Sequence, residues 1–309
     1  MADCSNECQV VYDESDGSYT ISFHCFDTSN SITVFGDSAT SADHESVLRD
    51  ARKACLELHH LWSFSLDDSD VAQINASSDC CKVDFRTVLL ISAMKAFHEA
   101  EPLFDFTVGP VSYLWKHAGR VPSADEVASA LAHVGAEKVT IEADTVVKAD
   151  PLVQIDVGGA AKGFAADAMA AHLRLAGIKS ARIDFGGNLY LVGSHPSGRL
   201  WRIAVRIPEG IRTECPVMEM RDKSVVTSGS YERFVEIEGK RYHHIIDATT
   251  GKPAASDIVS ATVVAASSLQ ADMLATTALL VGSSGIESLK SRHPEAEIIA
   301  ITCDGAVLR

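Results

Sequence analysis

The chain has 309 residues, 46% of them hydrophobic and 22% charged, the composition of an ordinary soluble globular protein long enough for one or two domains. Its 42 acidic residues outnumber 27 basic ones, for a net charge of −15, and no basic patch is visible; this argues against nucleic acid as a partner, which depends on clustered Lys and Arg. No apolar stretch approaches the ~18–20 residues of a membrane span, so no membrane insertion is expected.

The first residues, MADCSNECQVVYDESDG, have neither the basic start nor the apolar stretch of a secretory signal, and a cytoplasmic location is expected. Residues 1–17 are expected to be disordered or loosely attached, and 18–309 to form one domain. Tyr19, Ile21 and Phe23, then Ile32 and Val34 after a Ser-Asn turn, alternate as a hairpin. Helical spacing of Val47, Leu48, Ala51, Cys55, Leu58, Leu61 and Trp62 predicts a helix over 43–62, with His59 and His60 at its carbonyl end. A second helix is predicted over 84–100. Ser123-Ala-Asp-Glu126 is a capping box that opens a short helix ending at Gly135. Strands are predicted near 138–142 and 145–148.

The alternating run Val153, Ile155, Val157 reads as a buried strand that breaks at Gly158-Gly159; an Ala-rich helix then runs to about Ala176, closed by Gly177. Further strands are predicted near 180–185, 189–193, 201–207, across 224–247 with a turn at Gly239-Lys240, and at 258–266. Ser267 caps a helix to about Val281, Ser284 caps another, and Asp304-Gly305 turns a final hairpin. Helices interspersed with hairpins predict an α+β fold with mixed sheets. The eight cysteines, at 4, 8, 25, 55, 80, 81, 215 and 303, form no CxxC pair and read as reduced thiols.

Several positions carry chemistry. A strand that stops at paired glycines before a helix exposes backbone N–H groups at the positive helix end, which suits a phosphate, and Lys162 adds a cation one turn in. The spacing is not the dinucleotide fingerprint, and a tight turn with close helix–strand packing is the competing reading. Asp272 and Thr276 lie one turn apart on one helix face and offer hard oxygens suited to Mg²⁺; the alternative is a solvated Asp and a Thr bonding back to its own helix. His243 and His244, adjacent in a strand, should point to opposite faces, one toward solvent and one toward a cleft. Asp184-Phe-Gly-Gly-Asn188 is a second Gly-Gly turn, which either flanks the same cleft or serves packing.

Four segments, in order, are Phe104-Asp-Phe-Thr-Val-Gly-Pro110, Asp156–Asp167, Thr227–Arg233 with Tyr242–Pro253, and Ala271–Thr276. Together they resemble the ApbE family of FAD:protein FMN transferases, from about Phe26 to the C-terminus. The resemblance implies a compact two-lobed body with the flavin cleft between the lobes. It implies Mg²⁺ as cofactor, held by Asp272, Thr276 and a backbone carbonyl at Gly159, and FAD as substrate. Contacts to the flavin nucleotide are implied for Thr107, Val108, Gly109, Asp156, Lys162, Ser228 and Gly229. The pattern around His244 and Asp247 implies that His244 is the general base, with His243 at a variable position.

The partner implied is an acceptor flavoprotein, similar to the FMN-binding domains of Rnf- and Nqr-type redox pumps and some soluble reductases. The segment departs from the family pattern at Phe106, Asp184 and Ala248, and Cys4 and Cys8 lack the apolar stretch that precedes the acylated Cys of exported relatives. The same site with water as nucleophile would make an FAD pyrophosphatase, and without turnover an FAD carrier.

Overall fold

A computed structural model gives the structure at residues 9–36, 41–231, 234–237 and 239–309. The first half holds β1 (Val10–Asp13), β2 (Ser18–Cys25), β3 (Thr28–Phe35), α1 (Ser41–Trp62), α2 (Asp70–Ala76), β4 (Cys80–Lys82), α3 (Phe85–Ala100), α4 (Gly109–His117), α5 (Ala124–Leu131), β5 (Val139–Glu142) and β6 (Thr145–Lys148). Next come α6 (Ala161–Leu175), β7 (Ser180–Phe185), β8 (Asn188–Gly193), β9 (Trp201–Ala204), β10 (Val217–Met220), β11 (Lys223–Gly229), β12 (Phe234–Ile237) and β13 (Lys240–His243). The chain closes with β14 (Ile246–Asp247), β15 (Lys252–Pro253), β16 (Ile258–Ala265), α7 (Ser268–Arg292), β17 (Glu297–Thr302) and β18 (Val307–Leu308).

The expected α+β class holds. Nine strands form one sheet in the order β1-β2-β3-β7-β8-β11-β16-β17-β18, and the pairings within it are antiparallel. Alternation in β2 buries Tyr19, Ile21, Phe23 and Cys25 against α1 and leaves Ser22 and His24 exposed. Helices α1, α6 and α7 cover one face of the sheet, in the main core with Ile183, Val226 and Ala261. On the other face Leu191, Val225, Val264 and Ile299 pack with Trp201, Met218 and Met220 of the β9–β10 hairpin. A separate, smaller core joins Val111 and Trp115 of α4 to Ile237 and Ile246.

Some expectations are corrected. Val10–Asp13 pair with β2, Val10 opposite Ile21, so part of the stretch expected to be loose is an edge strand; residues 1–8 lie outside the described residues. The 153–157 run is buried but forms no strand. Gln154 makes one parallel bridge to Val108, and both backbone groups of Ile155 are taken by the Asn75 side-chain amide, N–H to Oδ1 at 2.8 Å and Nδ2 to C=O at 3.1 Å. Those bonds satisfy the groups a neighbouring strand would otherwise pair.

The capping box at Ser123 is present, but α5 stops at Leu131, and Gly135, at φ +148°, leads into a 3₁₀ turn over Ala136–Lys138. Strand β9 ends at Ala204, short of 207, because its partner β10 begins only after Pro216, which has no N–H to donate. Helix α2, not anticipated, is capped by Ser69, whose side chain accepts from Ala72 N–H. Helix α7 breaks at Gly282 (φ +65°), so the two helices expected on either side of it are present end to end. The six described cysteines are free thiols, with Cys25 and Cys55 packed 3.5 Å apart in the core.

Candidate active site

The glycine turn sits where α6 begins, over the middle of the large sheet, and two close approaches explain its glycines. A Cβ on Gly163 would lie 2.5 Å from the Ser268 carbonyl oxygen, so α6 meets the first turn of α7 closer than any side chain allows. A Cβ on Gly159 would come within 3.1 Å of the Phe104 ring and 3.3 Å of Thr276 Oγ1. Gly158 and Gly159 do not have positive φ, so space rather than backbone freedom demands glycine at 159. Asp156 shapes the turn from the other side: its Oδ1 accepts from Gly158 N–H at 2.8 Å, and its own N–H donates to Phe106 C=O at 2.7 Å.

Asp272, on the second turn of α7, is 2% exposed. Its Oδ2 accepts from Gly163 N–H at 2.9 Å and from Asn188 Nδ2 at 3.1 Å. Its Oδ1 faces Lys162 Nζ at 3.9 Å. Burial pushes the carboxyl above its ordinary range, opposed by the Lys162 charge and by the two hydrogen bonds. Thr276 Oγ1 donates back to Asp272 C=O at 3.2 Å, the bond expected of a helical threonine, and its neighbour across the gap is Gly159.

The α6–α7 junction is locked a second time. Asp167 accepts from Ser267 Oγ at 2.8 Å, Ser268 N–H at 2.7 Å and Leu269 N–H at 3.0 Å, capping α7 from the side of α6. Burial raises the Asp167 pKa against those three bonds.

The loop Thr107-Val108-Gly109 runs beside the 154–156 segment, with Gly109 N–H donating to Gln154 C=O at 3.2 Å. Thr107 is fully buried. Its hydroxyl donates to Asp105 Oδ1 at 2.6 Å and accepts from Gly135 N–H at 2.7 Å, so the side chain braces the loop. The loop's exposed groups are those of Val108, half-buried at the start of α4.

Ser228 is brought toward the α7 site by register. It shares a strand face with Ser224, which contacts Ser268 at the start of α7. Helix α7 follows β16, which is antiparallel to β11, so α7 and β11 run the same way. Four residues along β11 advance about 13 Å and eight along α7 about 12 Å, which sets Ser228 level with Thr276. Gly229 lies under the Tyr231 ring, 2.6 Å from where a Cβ would stand.

The histidines lie between Tyr242, which packs on the smaller core, and Ile245, which is in the main one. His243, the last residue of β13, is half-buried; its Nε2 donates to Ala254 C=O at 2.8 Å and its Nδ1 accepts from Ile245 N–H at 3.3 Å. Burial lowers its pKa, against the Ala254 carbonyl. His244 follows the strand and is exposed. Asp247 folds the next turn, accepting from Thr249 N–H at 2.8 Å, and Trp115 Nε1 ties that turn to α4 by donating to Gly251 C=O at 2.9 Å. Helix α4 starts at Gly109, so a chain of contacts connects the glycine turn to the turn over Asp247–Gly251 that follows His244.

Asn188, Ser224 and Ser268, all buried, and the half-buried Asp167 are polar residues here that sequence reasoning did not single out. Gly186 and Gly187, at φ +57° and +91°, make the two-residue hairpin turn between β7 and β8 and deliver Asn188 to Asp272. The available signal was an Asn directly after paired glycines.

Known proteins share this arrangement. A family model described as "ApbE family" matches residues 26–300. An FAD:protein FMN transferase of Vibrio cholerae is 31% identical over 274 residues, covering 85% of this chain and 82% of that protein. One from Treponema pallidum is 34% identical over 267 residues, covering 79% and 74%. Among solved structures, the flavin transferase ApbE of Vibrio cholerae superposes with a TM-score of 0.85 at 27% identity, covering 94% of this chain and 96% of its own. An ApbE protein of Thermotoga maritima gives 0.84 at 30% identity, with the same coverage.

Proposed function

The chain belongs to the ApbE family and is by that membership an FAD:protein FMN transferase, and we propose that it moves the FMN part of FAD onto a Ser or Thr hydroxyl of an acceptor flavoprotein, with Mg²⁺ as cofactor and AMP as product. The observation that carries this reading is the convergence of the α6 N-terminus, the Lys162 ammonium and Asp272 Oδ1, 3.9 Å from that ammonium, on one point. The N–H groups of Gly158, Ala160, Ala161 and Gly163 are taken within the protein, so what suits a pyrophosphate is the Lys162 cation at the positive end of α6, while the carboxylate oxygen beside it suits a divalent cation.

The donor chemistry fits Mg²⁺. Asp272 Oδ1, Thr276 Oγ1 and a backbone carbonyl at Gly159 are hard oxygens, and Thr276 Oγ1 lies next to Gly159. Among the described residues no group of three or more His, Cys, Asp or Glu side chains is placed to hold a metal. A site with one carboxylate is the kind Mg²⁺ shares with substrate phosphates, and bound there the ion neutralises pyrophosphate charge.

The chain's own residues do the rest. The start of α6 and Lys162 hold the pyrophosphate, and Val108 and Ser228 line the flavin side, with Gly109 and Gly229 buried next to them. His244 accepts the proton of the acceptor hydroxyl. That oxygen then forms a bond to the phosphorus on the riboflavin side, the pyrophosphate P–O bond breaks, and AMP leaves. The exposure of His244 supports an acceptor that arrives from solvent. No described helix is long and apolar enough to cross a membrane.

Incubation with FAD and Mg²⁺, with and without an FMN-binding acceptor domain, tests the reading. AMP released only with acceptor, together with flavin bound covalently to it, is the expected outcome. AMP without acceptor would make the protein a pyrophosphatase, and no AMP in either case a carrier.

A further inference from the structure

Asn188 stands out among the buried polar groups because it touches Asp272 and is itself held from behind. Asn188, Ser224 and Ser268 are all fully buried, and Asp272 is 2% exposed, so each polar atom must find its partner inside the protein. Ser268 Oγ donates to Asn188 Oδ1 at 2.9 Å, and Ser224 Oγ shares its one proton between Ser268 Oγ at 2.8 Å and Leu189 C=O at 3.1 Å. An ionised carboxylate only accepts, so the amide must show its NH₂ to Asp272 and its oxygen to Ser268. The Asp272 carboxylate, which can only accept, sets that orientation, and Ser268 supports it by donating to the amide oxygen.

The consequence falls on the two carboxylate oxygens. Oδ2 is saturated by Gly163 N–H and Asn188 Nδ2, one donor from α6 and one from β8. Among the described residues Oδ1 has no such donor within hydrogen-bond distance and lies toward Lys162. Two donors on a single oxygen fix the rotation of the carboxylate about its Cβ–Cγ bond. We propose that Asn188 is a positioning residue, which with Ser268 and Ser224 behind it pins Asp272 Oδ2 and leaves Oδ1 as the one oxygen presented to the divalent cation. This rests on the metal reading given above.

The test uses Mn²⁺ as probe, in the presence of FAD, with bound ion measured from the loss of the free Mn²⁺ spin-resonance signal. Asn188→Leu keeps the volume and removes the donor. Ser268→Ala leaves the amide in place but frees it to turn, and carries the test if the first variant does not fold. Both are expected to weaken Mn²⁺ binding by about 10- to 100-fold, the usual range for a group that orients a metal ligand, with the greater loss in Asn188→Leu. The Mn²⁺ needed for half-maximal transfer should rise in step, with turnover at saturating Mn²⁺ much less affected. A purely structural role would instead lower the melting temperature and the turnover while leaving the Mn²⁺ affinity of the folded fraction unchanged, and that result overturns the proposal. If the parent protein itself neither binds nor requires Mn²⁺ or Mg²⁺, it is the metal reading that fails.

Discussion

At the α6–α7 junction Asp272, Asn188, Ser268 and Ser224 are buried and bonded to one another, whereas around His244 the chain runs through two-residue strands and an exposed turn. The first region is set before any ligand arrives: each oxygen or N–H aimed at the site is oriented by a second buried group. The second lies where the two cores meet, with Ile245 in the main one and Tyr242 and Ile246 in the smaller, and leaves its imidazole at the surface. On the function proposed above, the difference follows from what each side would meet: a pyrophosphate and its cation suit a rigid cradle, while a protein acceptor needs a base that its hydroxyl can reach.

The sharpest way to break this comparison is at Asp272. Asp272→Ala is expected to abolish transfer and to make FAD binding weaker and indifferent to Mg²⁺, because it removes the only carboxylate of the set. It also leaves Asn188 Nδ2 and Gly163 N–H without an acceptor in a dry interior, a cost of ~1–3 kcal/mol per group. Isothermal titration with FAD at low and high Mg²⁺ checks it. Near-normal turnover at low Mg²⁺ would mean that the metal site lies elsewhere.

On the exposed side, His244→Ala should lower transfer by about 10²–10⁴-fold with FAD affinity and fold largely kept, the usual range for a general base. His243→Ala should act in the opposite proportion, because its ring holds Ala254 C=O and Ile245 N–H. A lower melting temperature with a small loss of turnover is expected there. Single-turnover rates and thermal unfolding of the two variants separate these outcomes; a larger loss of turnover in His243→Ala would exchange the two roles.

A smaller effect is expected at the cradle. Lys162→Ala should weaken FAD by about tenfold, the contribution of one charge-assisted contact, and the difference from the parent should shrink as salt rises. Gly159→Ala should weaken FAD too, through the Cβ that would press on Phe104 and Thr276. Riboflavin, which lacks the pyrophosphate, should bind both variants like the parent. If Lys162→Ala weakened riboflavin as much as FAD, the lysine would be supporting the flavin or the fold.

Much of this was legible in the sequence, and what escaped has a physical reason. Caps at Ser123 and Ser267, the αL glycine at 177 and the β2 alternation are local signals and matched the structure. Val153–Val157 looked like a strand because burial on alternate residues leaves the same pattern whether the backbone pairs with a strand or with the Asn75 amide 80 residues away. The Thr107 hydroxyl joins Asp105, two residues away, to the backbone of Gly135, and the second of these partners no local pattern announces. Asn188 meets Asp272 across 84 positions of sequence. Such pairings exist only once β8, β11 and α7 are stacked, so residue type and spacing alone could not reveal them.

The least effect predicted is one of stability, and it tests whether His243 is the structural member of the histidine pair. Burial holds its pKa below the ordinary value of 6.5, so folding favours the neutral ring. A group whose pKa is depressed on folding contributes stability that is complete above the unfolded-state pKa and is lost as pH falls through that value toward the folded one. The parent's melting temperature should therefore decline below about pH 6.5, where an unfolded histidine begins to take up a proton that the folded one resists. His59, also lowered mainly by burial, contributes in the same direction, so the slope attributable to His243 is the difference between parent and variant. His243→Ala should begin from a lower melting temperature at pH 7.5 and decline less steeply toward pH 5.5. Parallel curves would mean that the ring at 243 titrates as it does in the unfolded chain, and that its bonds to Ala254 and Ile245 do not hold it neutral.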